Sequence, residues 1–178
     1  KICRRDNMKS DLELWLVRHG ETTWNSSGLL AGWSDVPLTS LGERQAQALF
    51  QTLEKLEFAS VWCSDLSRAE LTASLAYGRA SSDSRIREID FGELEGRPWS
   101  EIDAVHQEAL LNFRGFSAPS GENLIDFEAR VLDFVSSLPG GRQLIFTHGG
   151  VIRLLTRYVG LDRFVGNGAL VVLNWTLK

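Results

Sequence analysis

Short apolar runs alternate along the chain with longer stretches in which apolar residues recur every three or four positions. A near-continuous apolar run is typical of a strand that is buried on both faces of a sheet. A repeat of three to four residues is typical of a helix that buries one face. The runs predict strands over residues 12–17, 59–63, 143–146 and 170–177, and the repeats predict helices near 41–56, 68–75, 99–113, 123–138 and after 150.

Local signals refine this pattern at the ends of the segments. Ser40 and Glu43 have the spacing of a capping box, which predicts that the helix over 41–56 begins there. Residues 85–89 are predicted as a short strand that carries Glu88. The Pro-Ser-Gly sequence at 119–121 predicts the turn between two helices.

Strands that alternate with helices predict one α/β domain. Its architecture is expected to be a three-layer sandwich, a mostly parallel sheet with helices on both faces. The length of 178 residues suits a single domain with one sizeable core. Residues 1–10 are predicted to be an N-terminal tail and residues 11–178 the single folded domain. Ligands are expected at the carboxyl ends of the strands.

Two histidines stand directly after predicted strands. His19 follows Arg18 at the end of the first apolar run, and His148 follows the run at 143–146. A guanidinium suits phosphate oxygens and an imidazole can attack phosphorus, so this pattern predicts a phosphoryl-transfer site. For Arg18 and His19 alone, the alternative is a buried, hydrogen-bonded histidine beside a surface arginine. A second arginine, Arg68, follows the run at 59–63, and the side chains of Thr23 and Asn25 could donate to an anion.

Six stretches of the chain together resemble one known family. They are LVRHGETTWN from residue 16, GWSDVPLTSLGERQA from 32, SDLSRAELTA from 64, REIDFGELEG from 87, PSGEN from 119 and FTHGGVIR from 146. In this order and spacing the chain is similar to the histidine phosphatase superfamily, also called the phosphoglycerate mutase-like family, over about residues 12–177. The resemblance implies the same α/β architecture, with both histidines facing one phosphate.

The resemblance also implies what the site residues do. His19 is expected to be the nucleophile that forms a phosphohistidine, and Glu88 the general acid and base for the leaving group. The arginines are expected to neutralise the oxygens of the transferring group. The predicted catalytic residues are His19, Glu88, Arg18, Arg68 and His148. The predicted substrate-binding residues are Arg18, Asn25, Arg68, His148, Gly149, Thr23 and Trp33.

Two other interpretations stay open for the acid. Asp90, two residues along a predicted strand, would face the same side as Glu88. Glu88 could instead be a surface acid that pairs with Arg85 or Arg87. The nearby Glu95 is predicted to be a solvated loop charge. The family resemblance favours Glu88 as the acid.

The activity predicted from the sequence is hydrolysis of a small phosphomonoester. Phosphoglycerate mutases of this type carry a long insertion with paired arginines between the acid and the second histidine, whereas the connection in this chain is short and Arg114 there has no adjacent arginine. The chain is more similar to the phosphatase branch of the family, and within that branch it resembles α-ribazole-phosphate phosphatases. A mutase, a protein-phosphotyrosine phosphatase and a non-catalytic module that binds phosphorylated ligands are the alternatives.

Composition narrows the expected partners. A net charge of −4 argues against a nucleic-acid surface. No apolar run has the length of a membrane span, so a cytoplasmic location is the default expectation. The two cysteines, Cys3 and Cys63, do not form a metal-binding pair, and we predict neither a metal nor a cofactor. The predicted partner is a small-molecule substrate, with the protein as a monomer or a homodimer.

Overall fold

The computed structural model describes residues 12–176, and within them a five-stranded sheet forms the centre of the molecule. The strand order is β3-β2-β4-β1-β5. All neighbouring strands are parallel except β5, which runs antiparallel to β1 at one edge. The strands are β1 (Leu12–Arg18), β2 (Ser60–Cys63), β3 (Ser81–Ser82), β4 (Gly141–Thr147) and β5 (Leu170–Trp175).

Helices cover both faces of this sheet. In β1, Leu14 and Leu16 face one core with the side chains of α5 and α6, whereas Val17 faces a second core with α2 and α3. Because successive side chains of a strand point to opposite faces, the apolar run of β1 contributes to both cores. The helices are α1 (Thr23–Ser26), α2 (Ser40–Leu53), α3 (Ser67–Ala76), α4 (Ala104–Asn112), α5 (Leu124–Ser137) and α6 (Gly149–Tyr158).

The predicted fold class is therefore confirmed, with a mostly parallel sheet between two helical layers. The predicted tail, residues 1–10, lies outside the described residues. Within residues 12–176, no helix combines the length and the apolar character that crossing a membrane requires.

Two local predictions are wrong. The cap of α2 is Thr39, one residue earlier than expected, whose hydroxyl accepts from the Gly42 N–H at 3.0 Å. The predicted strand at 85–89 is instead a 3-10 turn at Ser84–Ile86 followed by extended chain. Since no strand forms there, the alternation that would put Asp90 beside Glu88 does not apply. The Asp90 carboxylate accepts from the Gly92 N–H at 2.9 Å and so closes the next turn.

The register of the sheet brings the two histidines together. Arg18 at the end of β1 pairs with Thr147 at the end of the parallel strand β4, and the residue directly after each strand is a histidine. The His19 N–H continues the ladder to the Thr147 carbonyl at 3.0 Å. The loop after His19 packs backbone to backbone against α2. Glycine at position 20 allows this contact, because a Cβ there would lie 2.2 Å from the Gly42 carbonyl oxygen.

Candidate active site

His19 lies buried at the carboxyl end of β1 with its tautomer fixed by the backbone. Its Nδ1 lies 2.7 Å from the Gly20 carbonyl oxygen, which can only accept, so Nδ1 carries the proton. Nε2 is therefore the unprotonated, nucleophilic nitrogen. Burial first, and then the charges of Arg68 and Arg18, hold the pKa of His19 well below its usual value of 6.5.

His148 begins α6 and faces His19 across the end of the sheet. The two ring centroids are 5.2 Å apart, with 60° between the ring planes. His148 is fully buried, and neither of its ring nitrogens has a hydrogen-bond partner among the residues described. Burial, followed by the charge of Arg68, lowers its pKa well below 6.5, so the ring is neutral at pH 7. A buried imidazole without protein partners is suited to bind a polar ligand.

Arg18 and Arg68 supply the positive charge beside these rings. Arg18 donates to the Val165 carbonyl at 2.6 Å, and Gly149 leaves room for its guanidinium, since a Cβ there would lie 3.4 Å from Arg18 Cζ. Arg68 is anchored by the Ser34 and Gly32 carbonyls at 2.9 and 2.6 Å. In both arginines Nε is buried and has no protein partner within residues 12–176. Both cations therefore keep donors for an anion.

Glu88 lies beside the start of α6, and its carboxylate is held by main-chain donors. The Ile89 N–H donates to Oε1 and the Gly150 N–H to Oε2, each at 3.0 Å. A Cβ at position 150 would lie 2.2 Å from Glu88 Oε1, so any residue larger than glycine there would displace the carboxylate. The alternative of a surface ion pair is wrong. Glu88 is buried, Arg85 pairs with Asp83 and Asp133, and Arg87 pairs with Asp65.

The backbone of Glu88 is clamped from the other side. Its carbonyl accepts from Arg130 Nη2 at 2.7 Å and from the indole N–H of Trp33 at 2.9 Å. Arg130 also donates to the carbonyls of Arg85 and Arg87, at 2.8 Å each, and pairs with Glu122. The structure thus places Trp33, a predicted substrate-binding residue, against the Glu88 carbonyl.

Glu95 is not the solvated loop charge that we expected. Its Oε1 accepts from the backbone N–H groups of Trp33 and Phe91, and its Oε2 accepts from that of Ser34. These bonds hold the loop whose carbonyls anchor Arg68. A carboxylate that caps a loop leaves no periodic signal in a sequence, so the pattern of polar residues could not identify it.

Asn25 and Thr23 take different positions near the site. Asn25 Oδ1 accepts from the Thr22 N–H at 3.1 Å and from Asn167 Nδ2 at 3.0 Å, which leaves its own Nδ2 to donate to a ligand. Thr23 is exposed at the start of α1, and its backbone N–H donates to the Pro37 carbonyl. Asn167 also donates to the His19 carbonyl at 3.3 Å and was missed, because it lies in an irregular segment without a recognisable motif.

A cavity of about 250 Å³ opens beside these residues. Arg18, Asn25, Glu88, Gly149 and Gly150 line it, together with Arg153 and a group of apolar side chains. Trp33 and Thr23 are not among its lining residues, and neither are His19, Arg68 and His148. Within residues 12–176, no three His, Cys, Asp or Glu side chains converge as they would around a metal ion.

The model of one protein family matches residues 14–176, nearly the whole described chain. That family is the histidine phosphatase superfamily (branch 1). The chain belongs to the histidine phosphatase superfamily. Members of this superfamily act as phosphatases or mutases. Its membership explains why a histidine, two arginines and a second histidine meet at the end of the sheet.

Other members of the superfamily resemble the chain in sequence and structure. "Probable phosphoglycerate mutase GpmB" of Yersinia enterocolitica is 35% identical over 163 residues, which cover 84% of this chain and 76% of that protein. The crystal structure of TTHB049 from Thermus thermophilus matches with a TM-score of 0.87 and 46% identity, over 92% of this chain and 94% of that one. A structure from Escherichia coli K-12, described as a "putative alpha-ribazole-5'-P phosphatase", matches with a TM-score of 0.78 and 31% identity, over 90% and 89%.

Proposed function

We propose that this chain hydrolyses small phosphomonoesters through a phosphohistidine at His19. The observation that carries the proposal is the bond from His19 Nδ1–H to the Gly20 carbonyl, which leaves Nε2 unprotonated beside the buried Arg68 and the half-buried Arg18. A neutral imidazole with one fixed tautomer is ready to attack phosphorus without a preceding proton transfer.

In the first step, His19 Nε2 attacks phosphorus in line and the bond to the leaving oxygen breaks. Arg18 and Arg68 stabilise the negative charge on the equatorial oxygens, and His148 donates an N–H to the same group. Glu88 is the general acid that supplies the proton of the departing oxygen. The positions of the Ile89 and Gly150 N–H groups hold that carboxyl against the start of α6, beside His148.

In the second step, Glu88 takes a proton from water, which attacks the phosphohistidine. The P–N bond breaks, inorganic phosphate leaves and His19 returns to its neutral form. The chemistry that we propose needs neither a metal nor a cofactor, because arginines and histidines neutralise the transferred group. The substrate is a small molecule, and we propose α-ribazole 5'-phosphate as one candidate, since a structural relative carries that description.

A mutase is the second candidate, supported by relatives that are described as phosphoglycerate mutases. A mutase returns the phosphoryl group to a second oxygen of the same substrate and must keep water from the phosphohistidine. A non-catalytic module that binds phosphorylated ligands is the remaining alternative. The complete set of His19, Glu88, Arg18, Arg68 and His148 supports catalysis over binding alone.

The test is release of inorganic phosphate by the wild-type protein and the His19→Ala variant, with a chelator present. The panel contains α-ribazole 5'-phosphate, a nucleotide, a sugar phosphate, an aryl phosphate and 3-phosphoglycerate, with conversion to 2-phosphoglycerate followed separately. We expect chelator-resistant phosphate release that depends on His19. Isomerisation without phosphate release would establish the mutase, and binding of every ligand without turnover would establish the non-catalytic module.

A further inference from the structure

The cavity beside the histidines has an apolar wall that the chemistry of phosphate does not explain. Its large members include Leu30, Trp99, Leu110, Leu111, Phe113 and Phe164. Phe164 is 71% exposed and Leu111 is 56% exposed. Large apolar side chains that line a cavity and remain exposed are suited to cover an apolar part of a ligand.

Arg153 also lines this cavity, but its donors are already mostly bound, and the carboxylate of Asp162 is shared between Arg153 and Arg157. Its side chain is 5% exposed, and its Nε and Nη2 donate to the two carboxylate oxygens of Asp162 at 2.7 and 3.2 Å. The remaining contacts are to the carbonyls of Leu110 and Leu111, at 2.7 and 2.6 Å. Because four of the five N–H donors of a guanidinium are occupied, little is left for a ligand carboxylate.

The same guanidinium joins the segments that form the apolar wall. It binds the last carbonyls of α4, lies 4.9 Å from the ring centroid of Phe113, and lies 3.8 Å from that of Phe164. Phe113 itself ends α4 with a left-handed backbone, at φ 50°. The positions of three parts of the wall thus depend on a single buried side chain of α6.

We infer that Arg153 is a positioning residue that holds an apolar subsite for an aromatic, uncharged leaving group. The inference rests on the proposed function and narrows its substrate class to phosphate monoesters whose alcohol carries an uncharged aromatic group. An aromatic group gains by burial against Leu111 and Phe164. A carboxylate would lose its hydration there, because Arg153 is already bound to Asp162 and to two carbonyls, and Arg18, the other cation of the cavity, is engaged by the phosphate under the proposed function.

Binding of non-hydrolysable phosphonates tests the subsite without requiring turnover. The affinities of benzylphosphonate, ethylphosphonate and phosphonoacetate are measured by calorimetry on the wild-type protein. We expect benzylphosphonate to bind at least ~10-fold more tightly than ethylphosphonate, from burial of the ring. Phosphonoacetate is expected to bind no more tightly than ethylphosphonate. Equal affinity for the benzyl and ethyl ligands, or a preference for the carboxylate, would overturn the inference.

Variants separate positioning from general stability. Phe164→Ala and Arg153→Met are expected to lower the benzyl-to-ethyl preference by about 5-fold. Asp162→Asn leaves Arg153 with an uncompensated charge, so the affinity for phosphonoacetate relative to ethylphosphonate should rise several-fold, a change that loss of stability cannot produce. If Arg153→Met does not fold, the variants of exposed Phe164 and of Asp162 decide. Ile125→Ala, at an exposed position outside the cavity, is the control with unchanged ratios.

Hydrolysis of benzyl phosphate and ethyl phosphate then distinguishes the two proposals. A benzyl preference in binding without turnover of either ester would contradict the proposed function while supporting the subsite. Turnover of both esters with equal kcat/KM and equal phosphonate affinities would support the proposed function and overturn the subsite.

Discussion

The carboxyl ends of β1 and β4 carry the same short sequence, a histidine followed by glycine, yet their two imidazoles are held differently. His19 is fixed by its bond to the Gly20 carbonyl. His148 is as deeply buried, but neither of its ring nitrogens has a protein partner within residues 12–176. Equivalent places in a parallel sheet thus produce one imidazole with a fixed tautomer, suited to attack, and one whose hydrogen bonds are left for a ligand.

The largest effect on kcat is expected from substitution of His19, directly after β1. We expect His19→Ala to lower kcat for an aryl phosphate by at least ~10⁴-fold, because a covalent nucleophile has no substitute. The fold should persist, since the side chain makes a single hydrogen bond, to its own loop. Phosphate release and thermal unfolding are measured together. Turnover above about one hundredth of the wild-type rate in a folded variant would contradict the role of His19 as the covalent nucleophile, and with it the proposed difference between the two histidines.

Substitution of His148, directly after β4, should lower kcat less than substitution of His19. His148→Gln keeps a donor of similar reach but moves it, and we expect kcat to fall by about 10²–10³-fold, the usual effect of losing one oxyanion donor. Formation of the phosphohistidine should remain detectable in single-turnover experiments. A loss as large as that of His19→Ala, with no covalent intermediate, would indicate that the nucleophile is His148, after β4, and not His19, after β1.

The Glu88 carboxylate accepts from the Gly150 N–H, shortly after β4, so a Glu88 variant tests the part of the site that follows β4. We expect Glu88→Gln to lower kcat by about 10²-fold with an alkyl phosphate and by less than about 10-fold with an activated aryl phosphate, which needs no proton to depart. The measurement is the ratio of the two rates in wild type and variant. An equal loss with both substrates would contradict the role of Glu88 as proton donor.

Both histidines should make the free energy of unfolding depend on pH. Burial and the arginines hold their folded-state pKa values well below 6.5, whereas the unfolded chain binds protons near that value. Below pH 6.5 the unfolded state therefore binds more protons, and stability falls as pH falls towards the folded pKa values. We expect the Tm of His148→Gln to fall less than that of wild type between pH 7.5 and 5.5. His106→Gln, on α4 outside the site, is the control. If the Tm of His106→Gln fell as little between these pH values as that of His148→Gln, the result would contradict this account.

The smallest effect is expected from Trp33, whose indole N–H donates to the Glu88 carbonyl. Trp33→Phe removes that donor and leaves Arg130 on the same oxygen, so we expect about a 3-fold loss of kcat with an alkyl phosphate, the effect of one neutral hydrogen bond. Trp62→Phe is the matched control, because the buried indole N–H of Trp62 has no partner in the described chain. If both variants lose the same activity, the Trp33 bond does not position Glu88.

The parts of the molecule that the sequence could predict are those that repeat or stand in motifs. Apolar runs located β1, β2, β4 and β5, and the resemblance indicated the residues that the register then brought together at the ends of β1 and β4. The short β3, with two exposed serines, carries no such pattern. It pairs with β2 because the chain returns to that edge of the sheet.

The residues that support the site were not predictable in the same way. Arg130, Glu95 and Arg153 act through backbone carbonyls and N–H groups of segments distant in sequence. Such contacts depend on where irregular loops lie, and no periodicity encodes that. The error at 85–89 has the same origin, since three carbonyls satisfied by Arg130 replace the strand ladder that the pattern suggested.

The most direct test of the central claim is to trap the covalent intermediate and locate the phosphate. Wild-type protein is mixed with an aryl phosphate, quenched at alkaline pH within one turnover, digested and mapped by mass spectrometry, with nuclear magnetic resonance to assign the nitrogen. The account predicts phosphate on Nε2 of His19 and none on His148. Phosphate on His148, or steady turnover with no phosphohistidine in any quench, would contradict it.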